Sequence, residues 1–300
     1  MEQKASETKR QHYVPQTYLK RFSLKRGKEY YINALPKNSC DVNQIKELNI
    51  KNVCLENNIY TLPFENTKEK MIIEQFFSDV ESNYDKVYNT LIGIKKTTIT
   101  EEERAMIITT VVTMFFRTSF WRNQINYFGN KSLEKAYLTC KQYNRDYFCT
   151  NTSEILIKDK TLEELQNESE IKKCDVPFLL TLLNAMEFLF DMRFQNDDIC
   201  VVEIEDEKEF ITSDNPVIAY NEGMIIAPIS PENTMFLPID NKHILWLLPN
   251  NNETGRLRIF RRKIINNKEV EDYNSKQKQY CERFLLGTKS SILSIFQPNS

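Results

Sequence analysis

Two short stretches hold the side chains best suited to chemistry. In His12-Tyr13-Val14-Pro15-Gln16-Thr17-Tyr18-Leu19 polar groups are interleaved with aromatic rings, and in Phe210-Ile211-Thr212-Ser213-Asp214-Asn215-Pro216-Val217 an apolar approach ends in four small polar residues and a proline. An unperturbed imidazole titrates near ~6.5, which suits His12 to acid or base work, and Tyr13 and Gln16 beside it supply orienting hydrogen bonds. Asp214 is expected where a strand stops, a place that holds a carboxylate rigidly within reach of a ligand, with Ser213 and Asn215 as binding partners. The plainer alternative for Ser-Asp-Asn-Pro is turn chemistry, with Asp214 bonding its own backbone.

Cations form a second set of candidates. Arg117 lies in the most apolar segment and needs either a carboxylate there, with Glu74 or Glu187 on neighbouring helices as candidates, or an anion in a cleft. From Arg256 to Arg261 basic and apolar residues alternate, so Arg256 and Arg258 are expected to project from one face of a strand as a phosphate-binding surface. A shared cation between Glu203 and Asp214 is not expected, because a hairpin turning at 205–208 sets the two carboxylates roughly 13 Å apart. The two histidines, His12 and His243, and seven scattered cysteines without a C-x-x-C pair make no zinc site of finger or protease type. An oxygen-ligated divalent cation stays open as a cofactor. His243 reads as a strand-edge residue. With six glycines and no G-x-G, G-K-[ST] or G-x-S-x-G run, phosphate loops and a serine elbow are excluded.

The totals bound the setting. The chain has 300 residues, 41% of them hydrophobic, enough for a substantial core, and 40 Lys and Arg against 42 Asp and Glu leave a net charge of -2. No global field draws it to nucleic acid, so such binding must come from local patches. Residues 1–28 supply one, with Lys or Arg at 4, 9, 10, 20, 21, 25, 26 and 28 against Glu2 and Glu7. Scattered cysteines, odd in number, indicate a reducing compartment, and residues 1–9 have no apolar core for a signal peptide. The longest apolar run, 105–116, is short of the ~20 residues that span a bilayer. These features point to the cytoplasm and away from a membrane.

Periodicity supplies the elements that must carry these residues. A mobile arm is expected over 1–11, a short helix after Pro15 with Tyr18, Leu19 and Phe22 on one face, and strands at 29–35 and 58–62. Helical spacing runs over 67–91 and stops at Gly93; Thr100-x-x-Glu103 caps a central helix reaching about residue 124. Further helices are expected at 131–147, at 162–166 and from Asp175 onward. After residue 196 the pattern turns to strands at 199–204, 210–212, 224–227, 235–237, 244–248 and 257–264, then a helix at 270–286 and an edge strand at 290–296. The fold class is therefore α+β, a mostly antiparallel C-terminal sheet packed with a central bundle of about four helices and a small N-terminal β region. We expect one compact domain over 1–300, with the N-terminal motif and strands in 12–66, helices in 67–195 and the sheet in 196–300.

Taken whole, His12-Tyr13-Val14-Pro15-Gln16-x-Tyr18-Leu19-x-x-Phe22 resembles the N-terminal signature of a large, mainly bacterial family, domain of unknown function 4238. Phe210 to Val217 resembles its second signature, and Pro228-x-x-Pro231 the proline-bearing segment that follows. The resemblance implies a role in conflict with phage or mobile elements and assigns no chemistry. The residues themselves suggest a hydrolase, nuclease-like, with His12 as acid or base, Asp214 as its orienter or a metal ligand, and Arg117 or the Arg256 and Arg258 face binding phosphate. Nucleic acid or a phosphate-bearing ligand is then the expected partner, with a protein partner or a second copy also open. The competing expectation is a recognition module in which the same motifs form a ligand pocket or a structural polar network.

Overall fold

The computed structural model describes residues 9–62, 65–149, 154–172, 176–205, 207–221, 229–250, 255–264 and 267–296. The N-terminal part comprises β1 (Arg10–His12), α1 (Gln16–Leu19), β2 (Leu24–Arg26), β3 (Glu29–Pro36), β4 (Lys46–Asn49) and β5 (Leu55–Asn57). Helices follow as α2 (Thr67–Lys70), α3 (Ile72–Ser82), α4 (Tyr84–Ile92), α5 (Glu101–Phe116) and α6 (Ser119–Gln142). After a hairpin of β6 (Tyr147–Cys149) and β7 (Glu154–Leu156) come α7 (Leu162–Lys172) and α8 (Val176–Asn196). The remainder is β8 (Asp197–Ile204), β9 (Thr212–Ser213), β10 (Ile218–Tyr220), β11 (Thr234–Pro238), β12 (His243–Pro249), β13 (Ile259–Ile264), α9 (Asn267–Tyr280), β14 (Phe284–Gly287) and α10 (Lys289–Leu293). The class is α+β, as the alternation of periods predicts.

α5 is the centre of the helical layer. Thr100 accepts from the Glu103 N–H while the Glu103 carboxylate accepts from the Thr100 N–H, so the capping box is complete. Behind it Ile107, Ile108, Val111, Val112, Met114, Phe115 and Phe116 are all buried, against α3, α4 and α8. A helix apolar on every side has to be enclosed, and each such side chain contributes about 1.5–3 kcal/mol on burial. One face of the sheet β10-β11-β12-β8-β13 closes this layer through Ile199, Val201, Leu245 and Leu247; its other face packs Val202 and Ile244 on Val270 of α9. All its pairings are antiparallel except β8 with β13, which is parallel.

The second sheet, β2-β3-β14-β9 with β4 on the flank of β3, joins distant parts of the chain. β14 lies between β3 and β9, pairing Leu285 with Leu35 on one side and with Ser213 on the other. Where the two layers meet, buried Arg104 of α5 donates to the carbonyls of Phe194 at 2.8 Å and Asp197 at 2.6 Å and so satisfies the last turn of α8. Arg193 beside it pairs with Asp197 at 3.0 Å and donates to the carbonyl of Ser230 at 2.8 Å.

Several boundaries differ from the periodicity. Arg10 and Gln11 are not part of a mobile arm: Gln11 is fully buried in β1 and accepts from the Tyr60 N–H at 2.7 Å. The 58–62 segment is a turn entered through Asn58 at φ 56, and the strand precedes it. The 67–91 helix is three helices, the second break falling where Asn83 turns its amide onto the Asp79 carbonyl. The central helix stops at Phe116, because the Arg117 carbonyl is taken by the Tyr60 hydroxyl and Thr118 is extended. α6 then absorbs the start of the helix expected at 131–147, which ends at Gln142. Strand 257–264 begins only at Ile259, since Gly255 at φ 115 opens a turn there. The 270–286 helix ends at Tyr280, and 290–296 is helical, capped by Thr288, instead of a strand. β8 pairs with β12 and β13, not with 210–212, so the assumed hairpin does not form and Glu203 faces His243 and Lys263. The expected cap Asp175, strand 224–227 and Pro228 lie outside the described residues.

Candidate functional site

The two signature stretches meet, and Tyr13 and Tyr18 are the side chains that join them. Pro15 starts α1 and directs Tyr18 and Leu19 into the core. The Tyr18 hydroxyl lies 2.5 Å from Thr212 Oγ1, and the Tyr13 hydroxyl accepts from Arg283 Nη2 at 2.6 Å. Arg283 reaches Tyr13 from the start of β14's segment, whose backbone is gripped by Asp214: the carboxylate accepts the N–H of Glu282 at 2.9 Å and of Arg283 at 2.8 Å. The Asp214 side chain is 0% exposed, and Arg283 Nε stands 3.9 Å from it. Burial pushes its carboxyl up, and the backbone amides of Glu282, Arg283 and Phe284 oppose that shift. Ser213 Oγ accepts from the Asn215 N–H at 3.0 Å, and Asn215 is held by the Tyr280 carbonyl at 2.9 Å and Thr118 at 3.3 Å. Asp214, Ser213 and Asn215 are thus committed to internal partners.

His12 belongs to a different cluster. Its carbonyl accepts from Arg117 Nη2 at 2.5 Å, and Gln16 Nε2 is 3.5 Å from its Nδ1. Burial lowers the His12 pKa, against the backbone of Ile50 and the Glu81 carboxylate, while Arg117 and Arg10 lower it further. Arg117 is buried over the Phe77 ring at 4.4 Å and pairs with Glu81 at 2.8 Å. Glu81, not the anticipated Glu74 or Glu187, holds the ion pair; Glu187 is exposed on α8. Burial alone would lower the Arg117 pKa, and Tyr60 and Glu81 reverse that. Glu74 lies within the field of both Arg117 and Glu81, and its burial raises its pKa.

Three atoms in this cluster are buried with no partner in hydrogen-bond geometry: His12 Nε2, Glu74 Oε2 and Arg117 Nε. Among the described residues eleven other buried side-chain atoms share this state, the Nε of Arg21, Arg193, Arg256 and Arg261 among them, so what sets these three apart is that an acid, a base and a cation stand together; each exception costs about 1–3 kcal/mol. An acid, a base and a cation left incomplete in one neighbourhood can bind an anionic group and move protons on it. Glu74 and Glu81 are seven residues apart on α3, a two-turn spacing that puts both on one face and was visible in the sequence. The involvement of Arg283 and Glu56 had no such signal. Glu56 of β5 binds Ser119 at 2.9 Å and Arg122 at 3.2 Å and stands 3.8 Å from Arg283.

The family described as "Protein of unknown function (DUF4238)" matches residues 10–291. The chain belongs to that family. The DUF4238 match runs from β1 into α10, so both signature stretches, the Arg117 cluster and the Arg283 segment all lie within it. No curated protein and no solved structure matches.

The expected phosphate face is not assembled with this DUF4238 cluster. Arg256 and Arg258 precede β13 instead of alternating along it; the Arg256 carbonyl accepts from Arg104 at 2.8 Å, and Arg258 bridges to Thr98. Among the described residues no group of three or more His, Cys, Asp or Glu is placed to hold a metal ion, and no helix is long and apolar enough to cross a membrane.

Proposed function

We propose that the protein is a hydrolase acting on a phosphate-bearing substrate at the His12, Glu74 and Arg117 cluster. The three unsatisfied buried atoms carry this reading. His12, kept neutral by burial, takes the proton of an attacking hydroxyl or water as its oxygen bonds to phosphorus. Glu74, whose raised pKa favours the acid form, delivers a proton to the departing oxygen as its bond to phosphorus breaks. Arg117 Nε–H faces the charge that builds on the phosphoryl oxygens, with Glu81 holding the guanidinium in place. Asp214 is a positioning residue: it fixes the segment of Arg283, which fixes Tyr13 and hence its neighbour His12.

The test is hydrolysis of phosphodiester substrates by the purified protein. His12→Ala and Glu74→Gln should each lower the rate by about 10²–10⁴, with unfolding midpoints close to the parent's. Equal rates in parent and folded variants would refute the assignment. An effector role against phage is part of the same proposal, and His12→Ala should then abolish protection in cells.

The saturation of Asp214, Ser213 and Asn215 favours a second reading, in which the signatures are a structural network beneath a recognition surface. Folded His12→Ala protein with full activity in cells would select it.

A further inference from the structure

The structure also points to where a substrate strand lies. We infer that the groove between the C-terminal half of α6 and the β6–β7 hairpin binds single-stranded nucleic acid. The inference rests on the phosphodiester reading for its link to chemistry, not for the binding itself. The groove has a volume of about 1290 Å³ and is lined by Lys135, Tyr143, Arg145, Tyr147, Phe148 and Leu156 among others.

Two features choose the occupant. The rings are presented outward, Tyr143 67% and Tyr147 47% exposed, with Tyr127 at 56% and Phe128 at 62% further up the same helix. Tyr143 and Tyr147 both line the groove, so their rings form one exposed patch within it. The charges around them are also unbalanced. Lys131 pairs with Glu134 at 2.8 Å and Lys158 with Asp146 at 3.6 Å, which leaves Lys135, Lys141 and Arg145 against Glu154 over residues 131–158. Lys141 lies over the Tyr137 ring at 5.4 Å. A protein-binding groove would share the aromatic rings and arginine but would be depleted in lysine, so Lys135 and Lys141 are what favour a nucleic acid. Tyrosines spaced among unneutralised cations supply stacking for bases and charge for the phosphates, and only unpaired bases offer their faces.

Placement fits as well. α6 begins two residues after Arg117, and at 1.5 Å per residue the groove is roughly 20–35 Å along the same helix, within the reach of a bound strand.

The experiment uses full-length His12→Ala protein, so that cutting does not interfere, and a fluorescent single-stranded RNA of roughly 12 nucleotides. Binding should weaken about tenfold in Tyr143→Ala and in Tyr147→Ala. Lys135→Glu and Arg145→Glu should weaken it and each reduce the slope of log affinity against log salt by about one. A duplex of the same sequence should bind more weakly. Unchanged affinity in the ring and charge variants overturns the inference, as does self-association in solution that the ring variants abolish. Small-substrate hydrolysis without strand binding removes the groove and keeps the cluster; strand binding without hydrolysis by the His12 parent removes the cluster and keeps the groove.

Discussion

At His12, burial has a thermodynamic consequence that can be isolated. Its pKa lies below 6.5 in the folded protein, so between that lowered value and 6.5 the unfolded chain binds more protons. Stability therefore rises with pH through this window and is lost as pH falls through it. Glu74 and Asp214, raised by burial, act in the opposite direction, because the folded state holds their protons more tightly. The difference between parent and His12→Gln melting temperatures removes those terms. It should shift in favour of the variant as the buffer is taken from neutral to mildly acidic; a constant difference would mean that His12 does not resist protonation.

The same residues show how far one sequence can be read. Residues 12–19 and 210–217 were legible because polar groups in apolar surroundings are costly and must be used. The partners were not, since Tyr13 meets Arg283 across 270 positions and Arg117 meets Glu81 from another helix. Pairing of that kind depends on the fold and leaves no local pattern. Asp214 illustrates the limit: both the turn and the site interpretation treated it as reaching solvent or its own backbone, whereas its carboxylate is enclosed by amides 68 and 69 residues away.

Among the elements, those with an end signal were placed best. The Thr100 box fixes the start of α5, and Thr100→Ala should cost about 1 kcal/mol in urea unfolding, with α5 still formed because its apolar surface encloses it. A loss several times larger would show that Thr100 contributes beyond the cap. Ends without signals moved. Phe284, Leu285 and Leu286 have ordinary helix propensity, yet they form β14 because β3 and β9 each present an edge that must be paired. β13 reads as one more strand of an antiparallel series, but it reaches β8 through a connection that makes it parallel, and nothing in its own residues specifies direction.

Across the molecule, the junction of helices and sheet depends on two buried arginines. Arg193 is 0% exposed and is the ion-pair partner of Asp197, whose burial raises its carboxyl to about 6 despite that pairing. Replacing Arg193 with Met keeps much of the volume and strands the carboxylate, so it should cost about 3–5 kcal/mol in chemical denaturation. Arg193→Met/Asp197→Asn should recover part of that loss. If the single variant is as stable as the parent, the junction does not depend on this pair.

The position of β14 also sets an order in time. The strand that completes the sheet, and the Glu282 and Arg283 amides that hold Asp214, come from residues 282–287, which are synthesised after both signature stretches. A nascent chain emerging from the ribosome has both signature stretches long before it has the segment that joins them. Under the proposed function, any activity of the cluster is withheld until residues 282–287 have been translated, and a product terminated before them carries the motifs without the segment that aligns them.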